Sequence, residues 1–235
     1  LFDVVRGTSK QIYSDQNSVE ATYSGVTSFD SDGFTLGTDA GGNGNGVNYV
    51  AWNWKAGNSQ GSSNTDGSIN TTYTSVNTTA GFSISKYTGT GSNATIGHGL
   101  GVAPKMVMIK NTSTAESWIV GHKSLGFTKF LSLDTTNAAQ TTSNRFNDTD
   151  PTSSVFSVGS ADGTNKSGDT IIAYCFAEKT GFSKFGSYIG NGNADGTFVY
   201  TGFKPAFVMI KYASPGSGVG SWGMHDGVRD IDNPV

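Results

Sequence analysis

The chain has 235 residues, a net charge of −3 and only 14 % charged residues, where an ordinary globular protein carries about 25 %. That argues against a phosphate-binding surface, which needs clustered Lys and Arg. Six leucines and no apolar run near the ~20 residues of a bilayer span exclude a coiled coil, a helical bundle and membrane insertion, while 11 % aromatic residues are too many for a disordered chain.

Taken in chain order, the pattern is one of short strands. Asp3 and Arg6 sit three apart and read as a structural ion pair if the chain turns there. Asp30-Ser31-Asp32-Gly33 is a D-x-D-G turn. In Val50-Ala51-Trp52-Asn53-Trp54 the large residues alternate with small ones, the period of a strand with one bulky face. Residues 58–80 are rich in Gly, Ser and Asn and read as a linker or insertion. Met106 to Ile109 and Phe207 to Ile210 are continuous apolar runs, as in central strands. Trp118-Ile119-Val120, Phe130 to Leu133 and Val155 to Val158 are further strands. Ile172, Tyr174 and Phe176 repeat the alternation of Val50, Trp52 and Trp54. Asp-Gly, Asn-Gly and Thr-Gly turns separate the strands at sandwich-like spacing. No window has helical periodicity, so helix should be confined to isolated turns.

The sequence also repeats itself. Gly81-Phe82-Ser83 returns as Gly181-Phe182-Ser183, and Tyr87 as Tyr188. Pro104 returns as Pro205, and Val107-Met108-Ile109-Lys110 as Val208-Met209-Ile210-Lys211. Ser117-Trp118 returns as Ser221-Trp222. Val50 to Trp54 matches Ile172 to Phe176, and Asp3-Val4-Val5-Arg6 matches Asp226-Gly227-Val228-Arg229. The expected fold is therefore all-β: tandem β-sandwich, jelly-roll-like repeats with a period of about 100–120 residues. Residues 81–180 form one complete unit. Residues 1–57 are the back of a unit, 58–80 the linker or insertion, and 181–235 the front of a unit. Segments 81–110 and 181–211 should superpose strand for strand. Trp52, Trp54, Tyr174 and Phe176 should be buried on the inner sheet face. The chain begins with Leu1, as a fragment or a processed product would. Open half-units leave sheet edges that must be covered. Completion between subunits or by flanking sequence is favoured over closure of 1–57 against 181–235.

Few residues read as a chemical site. Asp30 and Asp32 are candidate calcium ligands, but the matching stretch, Thr152 to Phe156, has no acids, and a plain Asp-Gly turn explains them. His98, His122 and His225 lack metal-ligand spacing. Cys175 lies in an apolar run and reads as a small core residue, and a single cysteine makes no intrachain disulfide. No G-x-S-x-G elbow is present, and the acids fall mostly in turns, so the chain reads as non-enzymatic, without a cofactor. Trp118 and Trp222 precede polar loops and are candidate sugar-stacking residues, although tryptophan in a sandwich is more often core.

Several strings resemble one family: Ser28 to Gly37 (SFDSDGFTLG), Tyr49 to Gly57 (YVAWNWKAG), Gly81-Phe82-Ser83-Ile84, His98-Gly99-Leu100 before Pro104-Lys105-Met106, and Tyr200 to Pro205 (YTGFKP). They are similar to the uncharacterised β-rich repeat domain of virion and tail-appendage proteins of marine tailed phages, cyanophages among them. The family has no assigned catalytic residues to carry over. The resemblance implies a tail fibre, appendage or virion-surface protein with a host-attachment role. It would assemble in the bacterial cytoplasm as a homo-oligomer, with other virion proteins and a host surface glycan as partners, and without nucleic-acid binding. The alternative from the residues alone is a carbohydrate-binding module of a secreted or cell-surface protein.

Overall fold

A computed structural model describes residues 1–214 and 220–227. The strands, in chain order, are β1 (Lys10–Gln11), β2 (Ala21–Thr22), β3 (Val26–Phe29), β4 (Phe34–Leu36), β5 (Tyr73–Asn77), β6 (Phe82–Thr88), β7 (Ala94–Gly97), β8 (Met106–Asn111), β9 (Ile119–His122), β10 (Lys129–Ser132), β11 (Gln140–Thr141), β12 (Val155–Val158), β13 (Thr170–Phe176), β14 (Phe207–Lys211) and β15 (Trp222–Asp226). Helix is confined to α1 (Ala40–Asn43), α2 (Ser143–Phe146), α3 (Asp162–Asn165) and a 3-10 turn at Lys123–Leu125. The chain is all-β, as its composition requires.

The centre is a seven-stranded sheet in the order β11-β10-β9-β8-β13-β6-β5, and each of its pairings is antiparallel. Strand β13 lies between β6 and β8 and buries both of its faces, which explains its unbroken apolar run: a strand covered on both faces has no polar side. Ile171, Ala173 and Cys175 enter one core with Tyr87, Ile96, Val107, Ile109, Phe127, Phe146 and Phe156. Ile172 and Tyr174 enter a second core with Ile84, Met108, Trp118, Val120, Val5 and Ile12. The sequence pattern gives β13 one bulky face and one small one, and Cys175 reads as core. The small face is buried too, because Ala173 and Cys175 leave room for the aromatic rings that neighbouring elements bring to that face. Each fully buried large side chain adds about 1.5–3 kcal/mol.

The first face is covered by the β7–β12 pair and by α2 and α3. The second is covered by residues 1–20 and by the β14–β15 hairpin, whose Met209 and Trp222 pack against the second core. The stretch 58–80, expected as a linker or insertion, supplies the edge strand β5 and the buried Ile69. The β5–β6 turn needs a glycine at Gly81: its φ is +70°, and a Cβ there would lie 2.6 Å from the Ala177 carbonyl oxygen.

Two expectations are corrected. Residues 50–54 do not form a strand, and Trp52 and Trp54 are 37 % and 48 % exposed. Both rings lie against Phe207, with centroids 5.8 and 5.9 Å away, at a segment that joins none of the sheets formed by the described residues. Tyr174 is buried as expected, and Phe176 is half-buried. The second correction concerns residues 182–188, which match β6 in sequence but form no strand. Strand β6 is hydrogen-bonded on both sides, by β5 and β13; residues 184–188 lack such neighbours among the described residues. By contrast β14 matches β8 in sequence and is a strand. The two hairpins share one register: Met106 faces His122 and Val107 faces Gly121 in β8–β9, as Phe207 faces Asp226 and Val208 faces His225 in β14–β15.

Candidate functional site

The buried charge of the molecule gathers on the second face of the sheet, where the chain start docks on β13. Asp3 opens a tight turn. Its Oδ1 accepts the backbone N–H groups of Val5 and Arg6 at 3.0 and 2.9 Å, and its Oδ2 accepts Arg6 Nε at 2.5 Å and the Tyr174 hydroxyl at 2.7 Å. The pair three residues apart therefore closes because the backbone turns, which an extended strand would prevent. Arg6 spends its remaining donors on Glu20 Oε2, the Lys10 carbonyl and the Leu1 carbonyl. Burial, and then the Asp3 carboxylate, push the Tyr174 phenol well above its ordinary value. Tyr174 stays protonated and acts as a fixed donor.

Beside this cluster, residues 13–20 lie along the β8–β9 hairpin. Trp118 Nε1 donates to the Tyr13 carbonyl at 2.7 Å, Lys110 Nζ donates to the Asn17 carbonyl at 3.2 Å, and the Glu20 N–H donates to the Thr112 carbonyl at 3.1 Å. The β14–β15 hairpin receives residues 132–139 in the same way. Trp222 Nε1 donates to the Ser132 carbonyl at 2.9 Å, Lys211 Nζ to the Thr135 carbonyl at 3.3 Å, and the Ala139 N–H to the Ala213 carbonyl at 2.9 Å. Each lysine also spans its own hairpin loop, Lys110 to the Glu116 carbonyl and Lys211 to the Gly220 carbonyl. Burial lowers Lys110 to about 8, and three carbonyl acceptors hold its ammonium.

The first face carries a different polar joint. Asn165, at the end of α3, accepts the Thr90 N–H through Oδ1 and donates through Nδ2 to the carbonyls of Ser92 and Gly159. The Tyr87 hydroxyl donates to the Thr164 carbonyl at 2.7 Å. A partial copy stands 122 residues earlier. Asn43, at the end of α1, donates to the Gly37 carbonyl at 2.8 Å, as Asn165 does to Gly159 at 2.9 Å. Three residues on, Gly46 and Gly168 both have positive φ, +73° and +81°.

His98 is fully buried. Its Nδ1 accepts the Leu100 N–H at 3.1 Å, so the ring is neutral and Nε2 carries the proton toward the Thr152 carbonyl at 3.2 Å. Burial is the main cause that holds this imidazole below its ordinary value of 6.5. The unfolded chain then takes up a proton here at a higher pH than the folded chain, so stability should fall as pH drops below about 6.5. Burial lowers His122 in the same sense. Urea melts of the native chain and of His98→Gln at pH 7.5, 6.0 and 5.0 check this. The native chain should lose stability across that range and the variant should lose less; equal slopes would refute the assignment.

The remaining sequence-based candidates fall as follows. Trp118 is fully buried against Tyr174, so the sugar-stacking role expected of it is corrected: neither ring face is open. Trp222 is half-buried and its indole N–H is engaged with Ser132. Asp30 and Asp32 flank the β3–β4 turn, where Asp30 Oδ2 accepts the hydroxyls of Ser28 and Thr35. Among the described residues no group of three or more His, Cys, Asp or Glu could hold a metal ion, and no helix is long and apolar enough to cross a membrane. Burial pushes the Cys175 thiol up, which leaves it a core residue. Asp226 ends β15, while Arg229 lies outside the described residues. Sequence reasoning missed Lys110 and Asn165. Their signal was present in the recurrence of Lys110 as Lys211 and of Asn165 as Asn43.

These polar side chains are aimed mainly at backbone carbonyls and N–H groups of other segments, the chemistry of a β-rich scaffold that joins pieces of chain. The chain belongs to the family described as Domain of unknown function (DUF7483), whose model matches residues 1–235. No curated protein and no solved structure matches it.

Proposed function

We propose that this chain is a non-enzymatic structural protein of a tailed-phage virion, a tail fibre, appendage or surface component with a host-attachment role, built from tandem repeats of one β-sandwich unit. The observation that carries the reading is the recurrence of the β8–β9 hairpin as β14–β15 in identical register, together with the recurrence of its docking contacts through Trp118 and Trp222. A chain that repeats its contacts is suited to extend a scaffold, and low charge with polar loops suits an exposed, protease-resistant surface. The resemblance of residues 28–37, 49–57 and 200–205 to phage appendage repeats points the same way. Other virion proteins, further copies of the chain and a host surface glycan are the partners this role requires.

Immunogold electron microscopy of purified phage particles whose genome encodes the chain tests the proposal, with mass spectrometry of the same particles. Label on the tail or particle surface is the expected result. Absence of the chain from particles, or its recovery only as a soluble glycan-binding protein, would overturn it.

A further inference from the structure

Two surfaces of the chain are exposed although their sequence equivalents are core. Phe182 is 63 % exposed where its equivalent Phe82 is 6 % exposed. Tyr188 is also exposed, whereas Tyr87 is fully buried. At the other end of the chain, Phe34 is 39 % exposed where its equivalent Phe156 is fully buried, and Leu36 is exposed where Val158 is fully buried. In residues 82–165 three of these positions meet on the first face: the Tyr87 and Phe156 rings are in contact, β7 pairs with β12, which carries Phe156 and Val158, and Asn165 ties residues 90 and 92 to Gly159; Phe82 lies on the other face, against Phe176. The two exposed surfaces are therefore the two sides of the same joint.

Resting on the repeat reading above, we propose that residues 181–200 of one chain are a docking surface for residues 26–49 of a second copy of the chain. In the joint, Tyr188 donates its hydroxyl to the Gly42 carbonyl of the second copy, as Tyr87 does to Thr164. Asn43 of the second copy accepts the Asn191 N–H and donates to the Asn193 carbonyl, while keeping its bond to Gly37. Phe34 and Leu36 of the second copy fill the places of Phe156 and Val158, and β4 adds to residues 193–199 by strand addition.

A second copy is the occupant for two reasons. Within one chain the match begins, since Trp54 lies on Phe207 as the equivalent Phe176 lies opposite Met106, yet Phe34, Leu36, Phe182 and Tyr188 all stay uncovered. Secondly, the docking contacts run in one direction. Residues 13–20 dock on β8–β9, and residues 132–139 dock on β14–β15, so each contact joins an earlier segment to a later hairpin. A joint of residues 26–49 on the later residues 181–200 keeps that order, and between copies it is a heterologous contact of the kind that propagates.

Single variants Asn43→Cys and Asn191→Cys, mixed in air and run on a non-reducing gel, test the joint; the native Cys175 is buried. A disulfide-linked dimer should form in the mixture and not from either variant alone. Light scattering on the native chain should show mass rising with concentration. Tyr188→Ser should weaken that association roughly tenfold or more, as loss of an aromatic anchor does, with an unchanged far-UV spectrum. A native chain that stays monomeric at every concentration overturns the proposal. So does a disulfide that, in the double variant Asn43→Cys/Asn191→Cys, closes only within one chain. These measurements need no phage, so their failure leaves the particle-labelling result untouched, and the reverse holds.

Discussion

Replacing Trp118 by alanine should lower stability by about 3–5 kcal/mol, the range for deleting a large buried aromatic. Trp118 has no exposed surface, its ring stacks on Tyr174, and its N–H holds the Tyr13 carbonyl. The loss is therefore of two kinds. The second core acquires a cavity between Met108, Val120 and Tyr174, and residues 13–20 lose an anchor to the β8–β9 hairpin. Chemical denaturation followed by tryptophan fluorescence and far-UV dichroism measures the total. Limited proteolysis separates the two parts, since cleavage should appear first within residues 13–20. Trp222→Ala is the internal comparison. Its ring is only half-buried, so its cost should be clearly smaller. Equal costs for the two tryptophans would show that the second core is not centred where the structure places it.

Replacing Asp3 by alanine should cost about 3–5 kcal/mol, the range for removing one partner of a buried ion pair. The penalty comes from what remains. Arg6, buried with Asp3, loses its Nε acceptor and keeps only Glu20 and two carbonyls. The Tyr174 hydroxyl loses its acceptor in the same core, and the N–H groups of Val5 and Arg6 lose theirs. Asp3→Asn should cost less, because an amide oxygen can still accept from those N–H groups while the charge is lost. The double variant Asp3→Ala/Arg6→Met should recover part of the loss, since it removes the stranded cation as well. A thermodynamic cycle over Asp3→Ala, Arg6→Met and the double variant checks this. Additive losses at residues 3 and 6 would mean that the two side chains are not coupled.

Composition, period-2 alternation and turn residues were enough to determine that the chain is all-β, that β13 is a core strand, and that helix is limited to single turns. The internal recurrence likewise marked β8 and β14 as equivalent strands, because Val107 to Lys110 and Val208 to Lys211 carry the same apolar run before the same Ser-Trp pair; their pairing into hairpins came from the structure. Asp3 and Arg6 stood out as charged residues in a charge-poor chain. These features are local: they depend on the residues of one segment and on the geometry of a strand or turn. Tertiary structure alone decided which equivalent residues are covered. Phe82 and Phe182 follow the same glycine and precede the same serine, yet one is core and the other is exposed, because among the described residues β6 has strands on both sides and residues 184–188 have none. Trp52 and Trp54 have the alternation of a buried strand, yet the segment is not a strand and both rings stay partly exposed against Phe207. Trp118, for which the sequence leaves both a sugar-stacking and a core reading open, is sealed by residues 13–20, more than 90 positions away in the chain. Burial is a property of the second surface that arrives at a residue, and that surface comes from sequence far removed from the residue itself.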